Sequence, residues 1–291
     1  MKVFSHSFWA MNTRFVIVIP GLDQHTGSEL SKGAELITEE WEQRLSRFRS
    51  NSELSQLNEK AYEMEFDVSP EMAEVLSTCT HYYHETGGLF DPAFSTVYDQ
   101  IRANAAFNKE QLDKLQQNCG WRHVDWDEKK QKIRYQKSDV KLDFGGIGKG
   151  IALREVVAYL KEHDINSAFL SFGESSIAGI GSHPHGDYWP VSNSNVEGNT
   201  IEDQVFQLKD EFLSVSGLQT GADDLKAHIY HPHKGHMVNE TGEVMVKAHC
   251  PIETEVLSTV GYLATDSEKE WLKSRFPKAS WHFNRTAGTV K

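Results

Sequence analysis

The sequence predicts an α+β fold, and two observations carry that expectation. From Trp121 onward short β-branched and aromatic runs follow one another, and the helical segments interrupt them irregularly instead of alternating strictly with them. Composition agrees with a packed chain. Of 291 residues, 38% are hydrophobic and 25% charged, with 21 Gly and 8 Pro, which is too apolar for disorder and free of collagen or coiled-coil bias.

The elements follow in order. Arg14–Ile19 (RFVIVI) is a β-branched run that reads as a buried strand. Leu30, Ala34, Ile37, Trp41 and Leu45 then recur at helical spacing, the pattern of an amphipathic helix. Ser69-Pro70 supplies an N-cap and a first-turn proline for a helix through Met72, Leu76, Cys79 and Tyr83. Strands are expected at Lys132–Gln136, Val140–Phe144, Ala168–Phe172, Val205–Leu208, Phe212–Val215, Ala227–His231 and Val244–His249. Two helices interrupt them: one follows the glycines at 145–150, carrying Ile151, Val156, Val157 and Leu160, and one spans about Thr254–Ala264. No repeat, low-complexity tract or linker marks a domain boundary, so residues 1–291 read as one unit.

Thirty basic against 42 acidic residues leave a formal net charge of −12, which argues against general nucleic-acid or anionic-membrane binding. The longest apolar run, Phe15–Ile19, is far short of the roughly 18–20 residues of a membrane span. The first residues carry neither an apolar core nor a small-residue cleavage site, so no signal peptide is expected. Cys79, Cys119 and Cys250 are odd in number and far apart, as reduced thiols of a cytoplasmic protein would be.

Four segments are able to carry chemistry. Asp143-Phe-Gly-Gly-Ile-Gly-Lys149-Gly150 ends a strand in a carboxylate and opens a helix, and such a turn aims backbone N–H groups at phosphate oxygens. It matches neither the P-loop nor the G-x-G-x-x-G fingerprint, and a plain strand-to-helix turn explains it equally well. His228-Ile-Tyr-His231-Pro-His233-Lys-Gly-His236 is either a transition-metal site or a polar surface turn. Glu255 and Thr259 lie four apart on one helical face, suited either to Mg²⁺ or, for the acids of that first turn, simply to the helix dipole. Thr86-Gly-Gly-Leu89-Phe90-Asp91-Pro92 ends a helix in glycines and presents an aromatic and an acid on a turn, where core packing and turn capping are the plainer roles. Ser214-Val-Ser216-Gly217 lacks a nucleophile elbow and reads as a turn, polar toward a ligand at most.

Taken in order and spacing, these segments resemble the ApbE family, the FAD:protein FMN transferases. The landmarks are Met11-Asn-Thr13, Phe48-Arg-Ser-Asn-Ser-Glu-Leu54 through Asn58, Gly88-Leu-Phe-Asp-Pro92 and Asp143 to Gly150. They continue with Phe172-Gly-Glu174, Ser214 to Gly217, His228-Ile-Tyr-His-Pro232 with Gly235, and Glu255-Val-Leu-Ser-Thr259. The resemblance implies mixed and antiparallel sheets with flanking helices, in two intimately packed α/β parts around a central cleft that takes FAD. It implies Mg²⁺ on the diphosphate and transfer of FMN to a Ser or Thr of an acceptor flavoprotein or redox-complex subunit; related members hydrolyse FAD instead. By the same resemblance Met11, Phe48, Leu89, Phe90, Asp91, Asp143 and Lys149 line the flavin-nucleotide site, with Phe48 standing where several members have Tyr. The Gly146 carbonyl, Glu255 and Thr259 hold the metal, and His228 accepts the proton.

Three departures bear on activity. Glu255 replaces the family's metal-binding Asp, His231 replaces its acid before Pro232, and Arg154 stands where Asp is common. A moved carboxylate and two lost negative charges predict weakened Mg²⁺ binding or another metal. The family's usual lipoprotein leader does not appear at the start of this sequence, which points either to a cytoplasmic member or to a leader trimmed away. The competing functions are a flavin-binding or FAD-hydrolysing relative with a degenerate metal site, and a transition-metal binder using His228, His231, His233 and His236.

Overall fold

The computed structural model describes residues 2–103, 108–192, 205–218, 229–238 and 240–284. In chain order the elements are β1 (Val3–Ala10), β2 (Thr13–Pro20), α1 (Gln24–Leu45), α2 (Glu53–Lys60), β3 (Phe66–Asp67), α3 (Pro70–Glu85), α4 (Ser95–Arg102) and α5 (Lys109–Asn118). They continue with β4 (Val124–Asp127), β5 (Lys132–Tyr135), α6 (Gly148–Glu162), β6 (Ala168–Phe172), β7 (Ser176–Ile180), β8 (Trp189–Ser192), β9 (Val205–Leu208) and β10 (Glu211–Leu218). β11 (Tyr230–His231), β12 (His236–Met237), β13 (Gly242–Ala248), α7 (Pro251–Leu263), α8 (Asp266–Arg275) and β14 (Ser280–Asn284) complete the described elements. The fold is α+β, as the irregular alternation predicts. No helix among the described residues is long and apolar enough to cross a membrane.

The frame is a seven-stranded antiparallel sheet ordered β1-β2-β6-β7-β10-β13-β14. Alternation sorts its side chains by face. Ala178, Ile180, Val244 and Val246 join the main core under α1, α6 and α7, whereas Ile177, Leu213 and Met245 face a second cluster capped by Trp189 and Leu208 of the β8–β9 hairpin. The small sheet β3-β5-β4 lies apart from this frame. Helix starts are chemically explicit. Ser69 Oγ accepts from the Met72 N–H at 3.2 Å ahead of Pro70, and Thr265 and Glu268 form a capping box.

Several expectations need correction. Val140–Phe144 joins no sheet. The Asn58 amide brackets Leu142 instead, with Nδ2 donating to its carbonyl at 2.9 Å and Oδ1 accepting from its N–H at 2.7 Å. A side chain thus supplies the bonds a neighbouring strand would have made. Ser214–Gly217 is not a turn but part of β10, paired with β13 from Ser214↔Val246 to Gly217↔Glu243. Of Ala227–His231 only Tyr230–His231 is strand, the residues up to 228 lying outside those described. Cys79 and Cys119 are buried free thiols and Cys250 is half-buried.

Candidate functional site

A cleft of about 880 Å³ opens where the sheet and the starts of α6 and α7 meet the loop after α3. That size suits a small-molecule site, typically about 300–1,000 Å³. Phe48, Leu89, Phe90, Asp91, Asp143, Gly146, Lys149, Glu255 and Thr259 all line it, so the structure gathers nine of the residues singled out in the sequence. Met11 is not among them. Met11 and Asn12 form the two-residue β1–β2 turn at φ 48° and 61°, and Met11 packs on the core with its N–H donating to Glu42 Oε2 at 2.8 Å. Positive φ at a methionine costs on the order of 1 kcal/mol, which that partly buried anchor offsets. Asn12 reaches the cleft instead. His228 lies outside the described residues.

The chemical centre is a buried ionic cluster. Lys149, in the first turn of α6, donates from Nζ to Ser175 Oγ at 2.6 Å and Ser176 Oγ at 2.7 Å, and pairs with Glu255 Oε2 at 3.6 Å. Ser176 and Ser214 both donate to Glu255 Oε1, the latter at 2.8 Å. Ser216 bonds Ser258 at 2.8 Å and Thr259 Oγ1 at 3.3 Å. Burying the Glu255 carboxylate is tolerable only because a cation and two hydroxyls compensate it. Close approach of α6 and α7 makes this possible, since a Cβ at Gly150 would lie 2.8 Å from the Pro251 carbonyl and 3.0 Å from Glu255 Cγ.

A second ionic group stands at the mouth. Asp143 Oδ1 accepts from the Gly145 N–H at 2.8 Å, and its Oδ2 lies 2.6 Å from Arg47 Nε. Arg47 also makes a two-pronged pair with Asp99 at 2.6 and 2.9 Å and stacks over the Phe48 ring at 4.4 Å. Phe48 is 75% exposed, an aromatic face open to a planar ring. Asp91 turns inward and accepts from the N–H groups of Ala93 and Trp121 at 2.9 and 3.0 Å, so it braces the loop, the turn-capping role. Burial pushes its pKa up to about 6 despite those bonds and the nearby Arg122.

Two of the three departures leave the cleft untouched. Arg154 pairs with Glu74 at 2.5 Å and Glu155 at 2.8 Å, and lines a separate cavity with Tyr82 and Cys250. His231 is buried in the β11–β12 hairpin while its neighbour Pro232 faces the cleft. Only Glu255 changes the cleft's own charge pattern. Among the described residues no three His, Cys, Asp or Glu side chains form a metal cluster, so the histidine run gains no support as a transition-metal site.

The His231 ring is 2% exposed with Nε2 unbonded, and burial, helped by Lys234, His233 and His236, pushes its pKa down to about 4 against the opposing Glu268. Between about pH 6.5 and 4 the unfolded chain therefore binds the extra proton, and stability is lost as pH falls through that window, by about 3 kcal/mol at its foot. Asp91 works oppositely, contributing most at low pH and losing its contribution as pH rises toward 6. In thermal melts from pH 7 to pH 4, His231→Asn is expected to lose less stability on acidification than the parent chain. Equal losses would remove His231 as the cause.

The sequence reading missed Arg47, Asn12, Ser175 and Ser176. Arg47 and the two serines adjoin the Phe48 and Glu174 landmarks, and Asn12 sits inside its own. Their partners, however, come from distant segments that no local pattern reveals.

Comparison with known proteins gives the same frame. A model of the ApbE family matches residues 11–281. The FAD:protein FMN transferase of Escherichia coli K12 is 21% identical over 273 residues, covering 89% of this chain and 77% of that protein. The ApbE protein from Thermotoga maritima MSB8 has a TM-score of 0.83 at 19% identity, over 98% of this chain and 97% of that one. Flavin transferase ApbE from Vibrio cholerae has a TM-score of 0.80 at 18% identity, over 98% and 97%. At such identities the structural likeness speaks for the fold, and the family match, which runs over nearly the whole chain and takes in every motif lining the cleft, establishes that this chain belongs to the ApbE family.

Proposed function

We propose that this chain is an FAD:protein FMN transferase, which cleaves the FAD diphosphate and passes FMN to a Ser or Thr of an acceptor flavoprotein. The observation that carries the reading is Lys149 at the start of α6, its ammonium held in the cleft wall beside hydroxyls and the turn 145–148. A fixed cation next to a helix N-terminus is a grip for phosphate oxygens and for the charge that develops on them during transfer. Phe48 stacks the flavin, Leu89 and Phe90 give an apolar wall, and Asp143, steadied by Arg47, meets polar edges of the ligand. His228, by the family resemblance, takes the proton of the acceptor hydroxyl. Residues 1–291 act as one unit on this reading, because the cleft draws on positions from Asn12 to Leu263.

The donors around Glu255 fit Mg²⁺ by their chemistry. Its carboxylate, the Thr259 hydroxyl and the hydroxyls of Ser176, Ser214 and Ser216 form an all-oxygen set suited to a hard cation. Glu255, Thr259 and the Gly146 carbonyl would hold the ion, which supplies neutralisation of diphosphate charge.

The test is incubation of the purified chain with FAD, Mg²⁺ and a Thr-bearing acceptor. A covalently yellow acceptor is expected, and tightly bound but unreacted FAD would replace the transferase reading with simple flavin binding. The phosphate grip makes a further expectation measurable. Fluorescence quenching should give an FAD affinity at least about tenfold above that for riboflavin, since each charge-assisted hydrogen bond contributes ~1.5–3 kcal/mol. Equal affinities would count against a diphosphate-directed site.

A further inference from the structure

The three-residue β6–β7 loop carries Gly173, Glu174 and Ser175 into the cleft wall. Its backbone is held from both sides: the Gly173 N–H donates to the Arg14 carbonyl at 2.8 Å, and the Val215 N–H donates to the Ser175 carbonyl at 2.8 Å. Gly173 and Glu174 sit at φ 64° and 60°, a tight reversal that leaves Ser175 at the head of β7 facing Lys149.

The hydroxyls of the cleft are not equivalent. Ser176 and Ser214 are both 2% exposed and donate hydrogen bonds to Glu255, and Ser216 is tied to Ser258 and Thr259. Ser175 is half-buried, accepts from Lys149 Nζ at 2.6 Å, and its own proton has no acceptor among the described residues. It is a nucleophilic oxygen already in contact with the cation assigned to the diphosphate. A tethered group so placed has an effective concentration that reaches ~10⁵ M or more in well-oriented cases, far above any free acceptor protein. The adjoining ammonium also favours negative charge developing on Oγ.

We propose that Ser175 is an internal FMN acceptor, a modification site in the cleft itself; the proposal rests on the transferase reading above. Ser175 Oγ attacks the FMN-side phosphorus of bound FAD. The Oγ–P bond forms as the bond from that phosphorus to the bridging oxygen breaks, and AMP leaves with the bridging oxygen. The hydroxyl proton goes to the departing AMP phosphate. No oxidant or reductant is needed, and the product is a phosphodiester joining FMN to Ser175. Flavin tethered there fills its own cleft, so the modified chain is self-blocked toward further FAD.

The experiment is incubation of the full chain with FAD and Mg²⁺ and no acceptor, then denaturation, dialysis, intact-mass measurement, in-gel flavin fluorescence and peptide mapping. The expected result is a mass increase of FMN less water, placed on the peptide containing Ser175, with one AMP released per adduct. FMN or riboflavin in place of FAD should leave the chain unmodified, because neither carries the AMP leaving group. Ser175→Ala should lower the retained fluorescence about tenfold or more, while Ser175→Thr, which keeps a hydroxyl, should retain an adduct. Circular dichroism and melting of both variants verify that they are folded. An adduct persisting in Ser175→Ala overturns the assignment. So does an unmodified parent chain that still flavinylates a Thr-bearing acceptor, and that outcome leaves the transferase reading standing. A chain that neither binds FAD nor modifies an acceptor removes both.

Discussion

Lys149→Met should lower FMN transfer at least about 10²-fold, the scale for removing a preorganised group that meets developing charge. Methionine keeps much of the lysine's stem volume and removes the ammonium, so three consequences separate cleanly. FAD affinity falls because the diphosphate loses its fixed cation. Riboflavin affinity should stay, because on the proposed function its ring meets Phe48, Leu89 and Phe90, which line the cleft, rather than Lys149. Stability falls as well, since the Glu255 carboxylate is left in a buried site with only Ser176 and Ser214, among the described residues, to compensate it. Removing one partner of a buried pair costs about 3–5 kcal/mol, and the two remaining donors place this case near 3. Turnover and quenching titrations must therefore be run well below the variant's melting temperature. If Lys149→Met binds FAD and riboflavin in the parent ratio, Lys149 does not grip phosphate and the reading of the 145–150 turn fails with it.

What the sequence disclosed and what it hid divide along a physical line. Helix starts were legible because their chemistry is local: Ser69-Pro70 predicts the start of α3, and the glycines before Lys149 predict the start of α6. β2, β6 and β9 were legible as short runs of apolar residues. β7 was not. Its Ser-Ile-Ala-Gly-Ile composition looks like loop, yet a Cβ at Gly179 would lie 2.8 Å from Leu208 Cβ, so the small residue is demanded by the β8–β9 hairpin packed on it. Val140–Phe144 failed for the opposite reason: its pattern is that of a strand, but its partner is the Asn58 side chain. The site behaves likewise. Each motif was recognisable, but the Arg47–Asp143 contact arises only when the α1–α2 connection meets the segment before α6, and the serines reach Glu255 only when β7 and β10 converge with α7. Such contacts have no sequence period to betray them.

Glu255→Asp should strengthen Mg²⁺ binding in the presence of FAD while lowering stability, and Glu255→Gln should weaken every divalent ion. The opposed signs follow from where the carboxylate now reaches. Its length lets Oε1 accept hydrogen bonds from Ser176 on β7 and Ser214 on β10 while Oε2 faces Lys149, so the sheet competes with any ion for its lone pairs. Aspartate is one methylene shorter on the same helical turn. The retreat expected of it is away from the sheet hydroxyls and toward Thr259, four residues along its own helix, which lines the cleft with Gly146. Mg²⁺ demands ligands at roughly 2.0–2.1 Å in near-octahedral order, so it gains most from that retreat, and the more forgiving Ca²⁺ gains less. The penalty falls on Ser176 and Ser214, whose buried hydroxyls lose the Glu255 acceptor; Ser258 Oγ remains 3.1 Å from Ser214 Oγ, so Ser176 carries most of a cost of about 1–3 kcal/mol. Glutamine keeps the length but not the charge, which removes the anionic ligand and leaves the Lys149 ammonium unpaired. Calorimetric titration of the three chains with Mg²⁺, Mn²⁺ and Ca²⁺ under saturating FAD, beside their melting temperatures, separates the terms. If melting temperatures move while all metal affinities stay constant, Glu255 serves only to neutralise Lys149, and the metal is held elsewhere.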